Sequence, residues 1–300
     1  MTISKLTNAT LPIWRQTFYD YITLTKPRVV SLLLFTTLAA MFITPAGAPP
    51  WHLVAWTLIG GYLMAGGANA VNMALDNDID RRMGRTSKRP VPSGRITPRQ
   101  ACAFGLVLAG LSLLVFLLFV NWLTAMLAVA GFLYYTVIYT KLLKRNTWQN
   151  IVIGGGAGAI PPMIGWAATS GQLSLVPLVL FAIVFYWTPP HFWALALLKR
   201  EDYAAAGVPM LPVVAGNDET ARQILLYSFG MFALTLVLVP VQAMGSIYLT
   251  GAIALGIRFL WLAWRVNREH TRHSALKLYV FSLHYLFALF AVMMADRILL

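Results

Sequence analysis

Charge is the scarcest property of this sequence. Asp, Glu, Lys and Arg make up 11% of its 300 residues against 59% hydrophobic residues, and the mean hydropathy is +0.69. That is too little polar surface to cover a water-soluble globule, which excludes an ordinary soluble enzyme. Cysteine is nearly absent. Cys102 alone supports neither a disulfide framework nor a thiolate metal site, and inside an apolar run it reads as a small buried hydrophobe. Acids number 10 against 23 bases, so carboxylate chemistry has few places to be. Residues 1–25 lack a compact apolar core ending in a small-residue cleavage site, and no secretory signal is expected there. The net charge of +13 would suit a nucleic-acid binder, but its distribution assigns it to membrane topology, and no nucleic-acid partner is expected.

What is present instead is apolar length. Nine runs long enough to span a bilayer fall near 29–45, 51–73, 101–120, 122–143, 149–169, 173–198, 224–243, 246–264 and 278–296. The expected fold is all-α: a polytopic bundle of about nine transmembrane helices around a cytoplasm-facing cavity, one domain over 1–300. Connections after runs two, four, six and eight are basic, and those after runs one, three, five and seven hold no Lys or Arg. All bases but Arg297, and all acids but Asp296, fall on one side. The positive-inside tendency makes that side cytoplasmic, with the amino terminus inside and the carboxyl terminus outside. Residues 1–25 are then a cytoplasmic segment, Lys26-Pro27-Arg28 a headgroup-level anchor, and 75–100 and 199–223 cytoplasmic active-site loops.

The longest polar stretch runs from Asn69 to Arg99. Asn72, Asp76 and Asp80 recur at i, i+4 and i+8, which puts them on one face if the helix from Trp51 continues, with Asn69 a turn earlier. Carboxylates on adjacent turns repel in an apolar setting, and a divalent cation between them removes that cost. Oxygen ligands with room for water suit Mg2+, which completes its shell on substrate phosphates. Asp76, Asp78, Asp80 and Asn72 are the candidate ligands. Arg81, Arg82, Arg85, Lys88, Arg89, Arg95 and Arg99 follow, a segment able to grip an anion. A solvated loop would explain these bases but not three acids at a helix end. Pro90, Pro92, Gly94 and Pro98 point to an ordered, turn-rich lid.

A second stretch runs from Trp187 to Tyr203. Pro189-Pro190 inside a span frees carbonyls, a feature tolerated beside a neighbouring helix or a polar cavity. His191 in apolar surroundings is a functional candidate, the alternative being a hydrogen-bonded structural histidine. Lys199, Asp202 and Tyr203 close this stretch as further candidates, Lys199 as a cation for a diphosphate. Gly154–Gly158 lacks the Lys-Ser or Lys-Thr of a phosphate loop and reads as helix packing. Runs three and four are expected to carry little chemistry; Tyr134, Tyr135 and Tyr139 could point into a cavity, though tyrosines near a span end are more often belt anchors. Asn146 and Asn150 are caps or cavity residues. His270 and His273 read as solvated, and His284 as a lower-ranked cavity contact.

The two stretches together resemble the UbiA-type intramembrane prenyltransferases. Asn72-x-x-x-Asp76-x-x-x-Asp80 followed by Arg85-x-x-x-Arg89-Pro90 is similar to the first aspartate-rich motif of that superfamily. Asp76-Asn-Asp78-Ile-Asp80, Arg85-Thr-Ser-Lys88-Arg89-Pro90, Thr188-Pro-Pro-His191-Phe-Trp193 and the segment Tyr203 to Gly216 resemble one branch, the protohaem IX farnesyltransferases. The resemblance implies Mg2+-dependent transfer of farnesyl from farnesyl diphosphate to the vinyl group of protohaem IX, with water addition, in a bacterial inner membrane. Asp76, Asp80 and Asp78 would hold the metal, Arg85, Arg89 and Lys199 would neutralise the leaving group, and Asn69 and Asn72 would orient ligands. His191 could ligate haem iron, bond a propionate or help deliver water. Haem would be a substrate, and besides the lipid bilayer, haem-handling or terminal-oxidase assembly proteins are the partners to consider. The chain departs from the superfamily at the second motif, where Lys199, Glu201 and Asp202 replace a set of aspartates and put a second metal in doubt. Two other readings share these features: a prenyltransferase for an aromatic quinone precursor, and a transporter with charges in broken helices. Against the transporter, the charges cluster at one face.

Overall fold

A backbone in lipid has no water to bond, so each apolar run must satisfy its own N–H and C=O groups, and a helix does this within one run. The computed structural model describes residues 12–299, and among them there are helices and no strands. Residues 1–11, with Lys5, and Leu300 lie outside the described residues. In chain order the helices are α1 (Ile13–Thr25), α2 (Pro27–Ile43), α3 (Trp51–Leu75), α4 (Asn77–Arg82), α5 (Pro98–Phe119), α6 (Trp122–Leu133, continuing as a π-helix over Tyr134–Leu143), α7 (Asn150–Ser170), α8 (Leu175–Leu198), α9 (Arg200–Ala205), α10 (Leu211–Val214), α11 (Gly216–Val237), α12 (Ser246–Glu269) and α13 (Arg272–Leu299). Among the described residues eight helices are long and apolar enough to cross a membrane, and the pair Trp14–Thr25 and Pro27–Ile43, bent by 45°, makes nine if counted as one span.

Three boundaries differ from expectation. The polar stretch before residue 26 is largely helical, as α1, whose inner residues Asp20 and Leu24 are buried while Trp14, Phe18 and Tyr19 are exposed. Helix α11 begins at Gly216, eight residues before the apolar run, so the 199–223 loop is mostly helix; Asp218 and Glu219 in the first turn suit the positive end of its dipole. Helix α3 stops at Leu75 instead of reaching Asp80. The two motif-bearing spans nevertheless end alike: α3, of 25 residues, leads into the six-residue α4, and α8, of 24, into the six-residue α9.

Small residues set the spacing of the helices that carry the site. A Cβ on Gly67 of α3 would lie 2.5 Å from the carbonyl oxygen of Gly105 on α5, and the reverse contact would be 2.6 Å. The glycine string of α7 is a packing surface, as its composition suggests: a Cβ on Gly154 would meet Tyr139, on Gly155 Thr188 and on Gly156 Tyr134. The largest core lies among α2, α7, α8, α11, α12 and α13 around Leu180, Ile183, Trp193, Phe259, Tyr285 and Phe290. Opposite it, α5 leaves Leu106, Val107, Leu111, Leu114 and Leu118 exposed, an outward apolar face suited to lipid. The 83–97 segment is ordered by turns and ends in a capping box, with Thr97 accepting from the Gln100 N–H and Pro98 in the first helical turn.

Candidate functional site

The acidic motif straddles a break. Asp76 caps α3 with φ −87° and ψ 8°, yet its N–H still bonds the Asn72 carbonyl at 2.9 Å and the Asp80 N–H bonds the Asp76 carbonyl at 2.8 Å. The i, i+4 register therefore survives the kink, and Asp76 and Asp80 are both buried, at 2% and 3% exposure. Asp78 does not join them. Its side chain is 56% exposed and takes a bidentate pair from Arg145, both contacts 2.7 Å. That guanidinium holds the Asp78 carboxyl down at about 2, from 3.8. A depressed acid adds stability that is full above its unfolded pKa and is lost as pH falls through the folded one. The pair is half-solvated, so screening keeps its contribution under about 1 kcal/mol. The Tm difference between wild type and Asp78→Asn is expected to be present at pH 6 and to shrink as pH falls from about 3.8 towards 2.

Three cations surround the buried acids, and two of them come from elements that the sequence pattern leaves aside. Arg89 folds back from its loop to bond Asp80 at 2.8 Å. Lys144, at the end of the π-helix, bonds Asp76 Oδ2 at 2.5 Å. Lys26, expected as a headgroup anchor, instead turns inward from the α1–α2 kink and donates to Asn72 Oδ1 at 2.8 Å. Burial opposes its charge most, Arg89 and Lys144 oppose it further, and Asp76 and Asp80 favour it. Only a left-handed backbone at Lys26, φ 51°, ends α1 and starts α2 at one residue, and this kink is what aims the side chain.

The two asparagines are struts. Asn72 Nδ2 donates to Asp76 Oδ2 at 2.8 Å and to Thr140 Oγ1 at 3.0 Å, while its Oδ1 serves Lys26. Asn69 donates to the Thr25 carbonyl at 3.1 Å and accepts from Tyr135 at 3.5 Å. Tyr135 and Tyr139 are therefore not belt anchors; their rings stack at 5.5 Å over the acid face, and Tyr139 lies within electrostatic reach of Asp76, Arg85 and Tyr203. The π-helical turn accounts for the missed signal. It widens α6 so that Tyr135, Thr140 and Lys144 all meet α3, an outcome that 3.6-residue periodicity cannot show.

Asp76 Oδ1 is buried with no hydrogen-bond partner. An orphaned carboxylate oxygen beside a second buried acid is what a hard cation would satisfy, and the set of oxygen donors fits Mg2+. Asn72 Oδ1 is committed to Lys26 and Asp78 to Arg145, and among the described residues no three His, Cys, Asp or Glu side chains gather as a metal cluster. Arg85 and Lys88 are exposed, without an acidic partner among the described residues. Arg95 bonds Asp20 at 2.9 and 3.0 Å and the Lys88 carbonyl at 3.2 Å, tying α1 to this loop.

The second stretch is a separate wall. Helix α8 continues through Pro189 and Pro190, and His191 is buried between Trp187, 4.4 Å away, and Tyr279, 5.0 Å away, with Nδ1 2.6 Å from Ser282 Oγ on α13. Lys199 and Asp202 form a loose 3.8 Å pair, and Tyr203 is buried. Asn150 tethers this loop by donating to the Pro209 carbonyl at 3.4 Å. His284 is exposed, bonded to the Val280 carbonyl at 2.9 Å, and so faces outward instead of lining a cavity.

Fold and site together define an integral membrane protein of helices with a buried acid–base cluster at one end of the bundle. The chain belongs to the UbiA prenyltransferase family, whose model matches residues 33–290. It is 60% identical over 289 residues to the protoheme IX farnesyltransferase of Chloroflexus aurantiacus, covering 96% of this chain and 49% of that protein, so it spans about half of that relative's length. It is 48% identical to protoheme IX farnesyltransferase 1 of Pseudomonas putida, covering 96% of this chain and 95% of that one. Among solved structures, one concerning digeranylgeranylglyceryl phosphate synthase superposes with a TM-score of 0.79 at 19% identity, covering 95% of this chain and 100% of that one. A UbiA homolog from Archaeoglobus fulgidus bound to DMAPP and Mg2+ superposes with a TM-score of 0.69 at 16% identity, covering 91% and 99%.

Proposed function

We propose that this chain transfers a farnesyl group from farnesyl diphosphate to a vinyl group of protohaem IX, with addition of water. The observation that carries the proposal is the buried pair Asp76 and Asp80 ringed by Lys26, Arg89 and Lys144, a site built for a cation and a polyphosphate together. The names of the relatives supply the two substrates. In this reaction the bond between the farnesyl carbon and the diphosphate oxygen breaks and a carbon–carbon bond forms at the terminal vinyl carbon. Water then adds its hydroxyl to the neighbouring carbon and releases a proton, and diphosphate departs.

Magnesium held by Asp76 and Asp80 would act as a Lewis acid on the diphosphate. Arg85 and Lys88, exposed and uncommitted to acids, close on the leaving group, and Arg89 is shared between it and Asp80. Asn69 and Asn72 position Lys26 and Asp76. Tyr203 lies within electrostatic reach of Tyr139 on the π-helix, and Lys199 contributes a further positive charge with Asp202 as its counter-ion. His191, with Nδ1 engaged by Ser282, offers Nε2 to the haem. The charged end of the bundle faces the cytoplasm on the positive-inside tendency.

The test is mass analysis of haem after incubating the detergent-purified protein with protohaem IX, farnesyl diphosphate and MgCl2. A product heavier by a farnesyl group plus water is expected, with EDTA lowering its rate by about a hundredfold or more and added Mg2+ restoring it. Unmodified haem from folded protein, or a rate indifferent to EDTA, would sink the proposal. Lys26→Met is expected to keep its Tm within a few degrees, because an apolar chain of similar length fills the kink. Its kcat/KM should fall about tenfold, the worth of one charge-assisted hydrogen bond, since Asn72 Oδ1 loses its donor while the amide keeps Asp76 and Thr140. Unchanged kinetics would return Lys26 to the role of an anchor.

A further inference from the structure

A cationic and aromatic stripe on α12 plays no part in the site described above. Arg258, Trp261 and Arg265 share one face of that helix, and Arg268 and Trp264 flank it. The Arg258 guanidinium lies 4.5 Å from the Trp261 ring centroid and that of Arg265 lies 5.0 Å from it, while Arg268 lies 5.7 Å from Trp264. Both rings are exposed, Trp261 at 41% and Trp264 at 46%. Arg258 is itself exposed and is the thirteenth of the 24 residues of α12, about 16 Å along the axis from Glu269. An outward arginine at such depth in a spanning helix is costly and calls for a polar partner. The protein supplies little: Arg265 bonds Glu269 at 2.6 Å, but among the described residues neither Arg258 nor Arg268 has an acidic partner. Glu269 is moreover within electrostatic reach of His273 and Lys277, so this single carboxylate answers several cations.

The direction of the side chains narrows the ligand. Side chains on a helix lean towards its amino terminus, so Trp261 leans back onto Arg258 and Arg265 onto Trp261, which lines the two guanidiniums up on either side of one ring. Ile257, 58% exposed, and Ile253, 38% exposed, continue the same surface deeper into the membrane. We propose that this surface binds an anionic phospholipid: the phosphate is held by Arg258 and Arg265 on either side of Trp261, and an acyl chain lies along Ile257 and Ile253. Trp261 keeps the two guanidiniums oriented and partly desolvated, which a loose basic patch would not do. Arginines that snorkel to the interface meet a headgroup phosphate there, and the apolar surface of Ile257 and Ile253 favours a ligand that carries an acyl chain over a diffusible phosphate.

The test is native mass spectrometry of the full chain in detergent, titrated with phosphatidylglycerol and phosphatidylcholine of matched acyl chains. Wild type is expected to retain phosphatidylglycerol preferentially. Arg258→Gln/Arg265→Gln should weaken that retention about 25-fold, roughly fivefold for each arginine, with phosphatidylcholine unaffected. Arg258→Lys/Arg265→Lys should recover much of it, which separates lost charge from lost folding, and Lys141→Gln, at an exposed basic position on another helix, should change nothing. Equal retention of the two lipids, or equal weakening by Lys141→Gln, would overturn the proposal. So would a benzoyl-phenylalanine photocrosslinker at Ile257 that labels a protein instead of phospholipid in native membranes, since that outcome assigns the stripe to a partner helix.

Discussion

Asp76→Asn is expected to lower kcat/KM for prenyl transfer by roughly 10²–10³-fold while the protein stays folded. The carboxylate is 2% exposed, and its Oδ2 already serves Asn72 and Lys144. The amide is isosteric and keeps an acceptor for those two donors, so helix α3 and the π-turn have no reason to separate. What changes is the other atom. The orphaned Oδ1 becomes an N–H2 group, which repels a cation where the carboxylate would bind one. The local balance also shifts towards positive: Lys26, Arg89 and Lys144 face one carboxylate, Asp80, instead of two. A site with that surplus should still attract diphosphate, so KM is expected to move less than kcat. The haem mass assay measures the rate and a thermal melt in the same detergent reports folding. A variant within fivefold of wild type would remove Asp76 from the reaction.

Gly165→Ala is expected to cost about 2–3 kcal/mol of stability, and Gly158→Ala on the same helix to be neutral or to gain about 0.5 kcal/mol. The two differ only in what a Cβ would meet. At Gly165 it would lie 2.0 Å from the Thr37 carbonyl oxygen and 2.9 Å from its carbon, backbone atoms with no rotamer to give. At Gly158 nothing lies within 4 Å, so removing the flexibility of glycine is the main effect. The seam at Gly165 is also where Thr37 donates to the Pro161 carbonyl at 3.2 Å, so a methyl group there pushes α2 from α7 and breaks a bond. Helix α2 begins one residue after Lys26, and a displaced α2 should disturb the Lys26–Asn72 contact and lower activity along with Tm. Paired melts of the two variants check this. Equal midpoints would mean that α2 and α7 separate without cost.

Much of the site is legible in the amino-acid sequence. Asp76 and Asp80 at i, i+4 point to a shared face, and the face survives the break at Asp76 because the helical hydrogen bonds on either side of it persist. Arg89 belongs to the basic run that follows the acids, and it bonds Asp80. Asp78 departs from its expected place among the metal ligands for a simple reason: i, i+2 on a helix points away from i, and Arg145 is there to take it. Lys26 and Lys144 are visible as residues but not as site residues, since they lie 46 and 68 positions from Asn72 and Asp76 in the chain, and Tyr139, 63 positions from Asp76, shows only as one of three tyrosines that could face a cavity. Only packing brings them in.

Composition and hydrophobic pattern are enough to identify the solvent and the segments. Apolar runs of about 20 residues admit one backbone solution in lipid, and a cost of several kcal/mol for each buried unpaired charge drives nearly all charged residues to one end. Those are local or additive effects, readable by counting. Which charges meet is a matter of packing in three dimensions. The left-handed turn at Lys26, the π-turn of α6 and the glycine seams between α3 and α5 and between α7 and its neighbours set where each side chain is aimed. Each depends on contacts between residues distant in sequence, for which hydrophobic period and composition carry no signal. The acids of the site therefore show in the sequence as a motif, whereas most of the cations that balance them come from elsewhere in the bundle.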